Sequence, residues 1–206
     1  MSIVKLNNRG VRNVSAFGSV GPGSMVFIKK LTASSSGNLT FLNGSSDVVF
    51  DSTYKEYLFT FKDIHLQTGG QFLTFQGTTD GSNYNTTITS TNFGAYHNEG
   101  GTDAGVAYDG SYDQAQGTAF QNLHANGSQV NDNDASIAGT LRIFNPASTT
   151  FVKHFMSTIH FYGGSNYATS TFCAGYFNTT SAVTGIQWKI SSGNIDAGDI
   201  CLYGIK

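Results

Sequence analysis

The side chains most able to do chemistry gather in the middle of the chain. Glu99, Asp103, Asp109, Asp113, Asp132 and Asp134 fall in one stretch that is poor in alternating apolar residues. Paired carboxylates equip a glycosidase, one as acid and the other as base or nucleophile, held at a fixed separation across a cleft. Linear spacing does not report that separation, so the set defines no active site. Asp109-Gly110-Ser111-Tyr112-Asp113 and Asn131-Asp132-Asn133-Asp134 are oxygen-rich runs of the kind that hold calcium, a hard cation that takes about six to eight oxygen ligands. Neither fits the EF-hand pattern, because Ile137 stands where that loop needs glycine. A solvated acidic turn accounts for both runs, and no metal or cofactor is assigned.

Of the five histidines, His154 and His160 have the same parity in an alternating segment and so face the same way. At about 3.3 Å per residue they are roughly 20 Å apart, too far for one metal ion to bridge. His65, His97 and His124 sit near turn-rich sequence. The sequence holds no G-x-S-x-G elbow, P-loop, H-E-x-x-H, Cys-x-x-Cys or strand-to-helix G-x-G-x-x-G. It therefore nominates no catalytic residue, and a non-enzymatic role is expected. Tyr84, Tyr96, Tyr108 and Tyr112 stand among Asn, Gly and Asp, with His97 beside Tyr96. Aromatic rings stack on sugars while neighbouring polar groups bond hydroxyls. These five are the candidate binding residues, for a glycan. The competing account has the tyrosines packing long loops or filling subunit contacts.

A set of strands must position these residues. The chain has 206 residues, 39% hydrophobic, 13% aromatic and only 12% charged, where soluble domains average about 25% charged. Ser, Thr, Asn and Gly supply the polar surface, a mix that favours strands and tight turns over helices. Tyr57, Phe59 and Phe61 alternate with Glu56, Thr60 and Lys62, the period-2 pattern of a half-buried strand. Similar runs occur at Met25–Thr32, Gly37–Gly44, Phe72–Gly77, Asn85–Ser90, Gly139–Phe144, Thr150–Tyr162, Ala168–Phe177, Val183–Ile190 and Asp199–Ile205. The first two are expected to pair as a hairpin. Gly94 to about Ala138 is expected to form long loops, with a helical turn near Asp113 to Asn122. Many short strands without βαβ alternation predict an all-β fold, an antiparallel two-sheet β-sandwich of jelly-roll type. Residues 1–20 are expected to be an arm or edge strand, and residues 21–206 a single domain.

A net charge of −2 provides no positive field for phosphate backbones, so nucleic acid is not an expected partner. No run approaches the ~18 apolar residues of a membrane span, and the N-terminus lacks the apolar stretch of a signal peptide. Synthesis in a cytoplasm is expected, with Cys173 and Cys201 as reduced, buried thiols.

The end of the sequence, Ser192 to Lys206, contains Gly198-Asp199-Ile200-Cys201-Leu202-Tyr203-Gly204-Ile205. It resembles the closing strand, G-x-I-x-L-Y-G-I, of structural proteins of tailed bacteriophages, marine ones in particular. Phe27–Ser34, Tyr54–Phe61, Gly81–Thr87 and Gly175–Thr180 are similar to the same group, so the likeness spans most of the chain but not Gly100 to Ala138. The resemblance implies a virion component, either a capsid decoration or fibre protein or a tail protein that meets the host. Its partners would be other virion proteins and further copies of itself, as a homo-oligomer such as a trimer, and a host surface glycan is a candidate ligand. Strand edges and uncharged faces rich in Ser, Thr and Asn would carry the contacts. The resemblance brings no catalytic residue.

Overall fold

The computed structural model describes residues 24–125 and 127–206; the arm or edge strand expected at residues 1–20 lies outside them. The described chain is all-β. The strands in order are β1 (Met25–Thr32), β2 (Leu39–Leu42), β3 (Glu56–Leu66), β4 (Leu73–Thr78), β5 (Ile88–Asn98), β6 (Ala104–Tyr108), β7 (Ala115–Gly117), β8 (Gln121–Asn122), β9 (Ile137–Phe144), β10 (Lys153–Gly163), β11 (Tyr167–Phe177), β12 (Gly185–Ile190) and β13 (Ile195–Ile205). They form two antiparallel sheets that pack as a β-sandwich. The larger runs β1-β13-β3-β9-β10-β11-β5-β6, with β7 also on β5, and the smaller runs β2-β12-β4-β8.

The expected alternation in β3 holds: Tyr57, Phe59 and Phe61 are buried while Lys62 is exposed. Phe59 and Phe61 meet the smaller sheet at Trp188 on β12. The Trp188 ring lies 5.2 Å from Phe59, 4.8 Å from Phe61 and 5.4 Å from Phe75, centroid to centroid. Phe75 in turn meets Phe155 of β10 at 5.0 Å. Each such buried side chain contributes about 1.5–3 kcal/mol relative to exposure, so this aromatic stack helps hold the two layers together.

β1 and β2 do not form the expected hairpin. β1 pairs with β13 and β2 with β12, in different sheets. Phe41 of β2 packs edge-on against Phe59 at 5.3 Å, a contact available only from the opposite layer. The connection between β1 and β2 therefore crosses the sandwich, turning at Ser35 with φ +48°.

The segment expected as loops from Gly94 to Ala138 carries the end of β5, all of β6, β7 and β8, and the start of β9, and the expected helical turn near Asp113 to Asn122 is instead β7 and β8. The interior under this part of the sheet is polar. Asn92, Gln121, His124 and Gln129 are fully buried, and the inward positions of β5 read Ile88, Ser90, Asn92, Gly94 and Tyr96. The Asn92 side-chain amide donates to the backbone carbonyl of His124 at 2.8 Å, and Ser90 Oγ donates to Gln121 Oε1 at 2.6 Å. The Leu73 N–H donates to His124 Nε2 at 3.0 Å. Burial holds the imidazole neutral, its pKa pushed down to about 3. Cys173 is buried and Cys201 half-buried, and both are free thiols.

Candidate functional site

Two regions of the large sheet stand out, one at an end and one across the face turned away from the small sheet. At the end, the β5–β6 turn meets the β10–β11 turn. Asn98 organises the first: its Oδ1 accepts from the N–H groups of Thr102 at 2.9 Å and Asp103 at 3.1 Å. Ser165 and Asn166, both left-handed with φ +60° and +59°, make the second, a conformation Asn tolerates better than most residues. The turns are tied together. The Glu99 N–H donates to the Asn166 carbonyl at 3.0 Å, and Asn166 Nδ2 donates to Glu99 Oε2 at 3.2 Å.

Between these turns lies a cleft of about 500 Å³, lined in part by Tyr96, Asp103, Gly127, Gly163, Gly164 and Tyr167. The Tyr96 and Tyr167 rings meet edge to face at 5.8 Å. The Tyr167 hydroxyl donates to Asp103 Oδ2 at 2.6 Å. That charge-assisted bond raises the Tyr167 phenol above its ordinary pKa and fixes the carboxylate at the cleft wall. Gly105 lets Tyr96 lie against β6, since a Cβ there would stand 2.8 Å from the Tyr96 hydroxyl.

The second region is the outer face of the large sheet, which the small sheet does not cover. Met156 is 57% exposed, and Phe93, Phe172, Val106 and Tyr108 are exposed beside it. The registers put Phe93 opposite both Phe172 and Tyr108, and Met156 opposite Ala174. Depressions of about 330 Å³ and 500 Å³ flank Met156. No outward position of β10, β11, β5 or β6 is Asp, Glu, Lys or Arg. Formal charge resumes at β9, where Arg142 Nη1 donates to Glu56 Oε1 of β3 at 2.5 Å.

The five residues singled out for binding do not converge. Tyr84 is half-buried against Thr40 of β2, and its burial raises the phenol pKa. Tyr112 packs on Phe72 at 4.9 Å. His97 and Tyr108 lie on the outer face, and Tyr108 donates to Asp113, a bond that raises its own pKa. Tyr96 alone reaches the cleft. The expectation that tyrosines pack loops thus describes Tyr84 and Tyr112. His154 and His160 share the outer face of β10, as their parity requires.

The carboxylates separate likewise. Asp109 closes its own turn, accepting from the Ser111 N–H at 3.1 Å. Asp132 presents its backbone carbonyl to His65 Nε2 at 3.2 Å, while His65 Nδ1 lies 3.5 Å from Asp196. Among the described residues, no group of three or more His, Cys, Asp or Glu side chains is placed to hold a metal ion. No described helix is long and apolar enough to cross a membrane.

No family model matches the chain, and no curated protein matches it. A solved structure from Bacteroides ovatus, a structural-genomics protein of unknown function, is similar at 6% identity with a TM-score of 0.27, over 52% of this chain. The chain spans 45% of the length of that protein.

Sequence reasoning missed Tyr167 as a site residue and treated Asp103 only as a possible glycosidase carboxylate. The available signal was Gly163-Gly164-Ser165-Asn166-Tyr167, a turn sequence that delivers an aromatic ring immediately after a tight reversal.

Proposed function

We propose that this chain is a structural protein of a tailed-bacteriophage virion, a capsid decoration, fibre or tail protein, that acts by assembling with copies of itself rather than by turning over a substrate. The outer face of β10, β11, β5 and β6, which exposes Met156, Phe93 and Phe172 and no Asp, Glu, Lys or Arg, carries this reading. These four strands, spaced about 4.8 Å apart and at about 3.3 Å per residue, offer roughly 600 Å², the per-partner size of a small or transient interface rather than the ~800 Å² of a standard stable one. An apolar centre at Met156, Phe93 and Phe172 with a charged rim at Arg142 and Glu56 follows the anatomy of such interfaces. A second copy is the occupant that suits it, because identical surfaces brought together repel through any charge they carry and this one carries no Asp, Glu, Lys or Arg on four strands. The resemblance of Gly198 to Ile205 to phage closing strands supports the virion setting.

Light scattering on the eluting protein tests assembly: a mass at a multiple of 22.0 kDa is expected, together with co-sedimentation of the chain with purified particles. A monomer at every concentration that also fails to associate with particles overturns the proposal. The tyrosine cleft favours a second reading, attachment of the particle to a host surface glycan.

A further inference from the structure

We infer that the cleft between the β5–β6 and β10–β11 turns is a binding site for a neutral saccharide, with Tyr96 as the stacking surface and Asp103 as the hydroxyl acceptor. The inference deepens the glycan-attachment reading and is independent of assembly. At about 500 Å³ the cleft falls within the ~300–1,000 Å³ of small-molecule sites, enough for a mono- or disaccharide.

The lining selects the ligand class. A sugar presents apolar C–H faces and a ring of hydroxyls, and it is matched by an aromatic ring beside an acceptor. Tyr96 and Tyr167 form an angled aromatic corner, their planes 65° apart. An ionised carboxylate only accepts hydrogen bonds, and it can take two adjacent hydroxyls at once. Asp103 is committed through Oδ2 to the Tyr167 hydroxyl, which orients the carboxylate before any ligand arrives. Ser128 and Ser165 add hydroxyls, and Gly127, Gly163 and Gly164 leave the wall without side chains. Among the described residues, no Lys or Arg lines the cleft. A sialylated, sulfated or phosphorylated ligand would therefore meet Asp103 with no compensating cation, which selects against anions.

The site is pre-organised. Glu99, Asn166 and Asn98 lock both turns through the hydrogen bonds described above, so little ordering entropy is lost on binding.

Saturation-transfer NMR on the full chain tests the site, with the methyl glycosides of glucose, galactose, mannose and N-acetylglucosamine as neutral probes and sialyllactose as the anionic one. Transfer to at least one neutral glycoside is expected, with sialyllactose much weaker. Asp103→Asn should weaken the bound glycoside by about tenfold or more, the scale of losing one charge-assisted hydrogen bond, and Tyr96→Ala should weaken it by removing the stacking surface. Tyr167→Phe, which frees the carboxylate to rotate, should weaken binding several-fold. Tyr84→Phe should bind as the unaltered protein does. Unchanged thermal melts show that the variants fold, and Asp103→Asn is near-isosteric should Tyr96→Ala prove unstable. No transfer to any neutral probe, equal transfer to sialyllactose, or binding that survives Asp103→Asn overturns the inference. Light scattering on the same samples reads assembly separately, so loss of one reading leaves the other standing.

Discussion

Phe93 of β5 and Phe172 of β11 stack face to face on the side of the large sheet turned away from the small sheet, with centroids 5.1 Å apart and planes 14° from parallel. Such a pair gains only part of its potential burial within one subunit, since both rings remain exposed. Charging this surface should break self-association without unfolding the domain. Met156→Glu with Phe172→Glu is expected to reduce the eluting mass to the monomer, while the melting temperature stays close to that of the unaltered protein, because substitutions at exposed positions usually stay within about 0.5 kcal/mol. An oligomer that persists in this double variant places the contact elsewhere on the molecule.

Trp188 should be the most costly single truncation. It is fully buried and touches rings from both sheets. Trp188→Ala is expected to destabilise by about 3–5 kcal/mol, the usual range for large aromatic truncations, a large share of a domain's total stability. Urea titration followed by far-UV circular dichroism measures it, since the variant lacks the sole tryptophan.

Stability should fall on mild acidification because of His124. Its pKa is about 3 in the folded protein and about 6.5 when unfolded, so below pH 6.5 the unfolded chain takes up a proton that the folded chain refuses. Above pH 6.5 the group contributes no pH dependence. Between pH 6.5 and 3 it removes about 1.4 kcal/mol per unit. The carboxyls of Asp51, Asp80 and Asp199 are all held below their usual range by hydrogen bonds, so their contribution is lost only at more acid pH. The window from pH 6.5 to 5 therefore isolates the imidazole, and His124→Gln should flatten the slope there in denaturation series.

Gly139 and Gly110 should differ sharply in their tolerance of a methyl group. Gly139 has φ +153°, and a Cβ would press on the Thr158 carbonyl and stand 2.7 Å from Ile159 Cα. The nearest contact of a Cβ at Gly110 is Tyr108 at 3.6 Å. Gly139→Ala is expected to destabilise by more than about 1 kcal/mol and Gly110→Ala by less, because the first forces a side chain into a backbone conformation it rarely adopts. Thermal melts of the pair decide the comparison.

The parts of the fold legible in the sequence are those where one side of a strand faces apolar rings. Tyr57, Phe59 and Phe61 marked β3, and Ile186, Trp188 and Ile190 marked β12, because alternation survives wherever the two layers meet through aromatics. The signal fails along β5 and β6. There the inward positions between Ile88 and Tyr96 are Ser90, Asn92 and Gly94, of which Ser90 bonds Gln121 and Asn92 bonds the His124 carbonyl, so hydrophobicity carries no period. Partner choice was also invisible: β1 and β2 look like a hairpin locally, yet Phe41 is drawn to Phe59 across the sandwich. Of the cleft, Tyr96 was legible as an aromatic ring set among Gly, Ala and Asn. Tyr167 and Asp103 were not, since their bond joins two turns 64 positions apart.

β13, which lies between β1 and β3, makes the large sheet depend on a strand that is translated after every other described strand. A product halted before Ile195 keeps β3 on β9 but leaves β1 without its strand partner among the described residues. β1 can therefore join the large sheet only once Ile195 to Ile205 has been made, while β3 keeps β9 as a partner throughout.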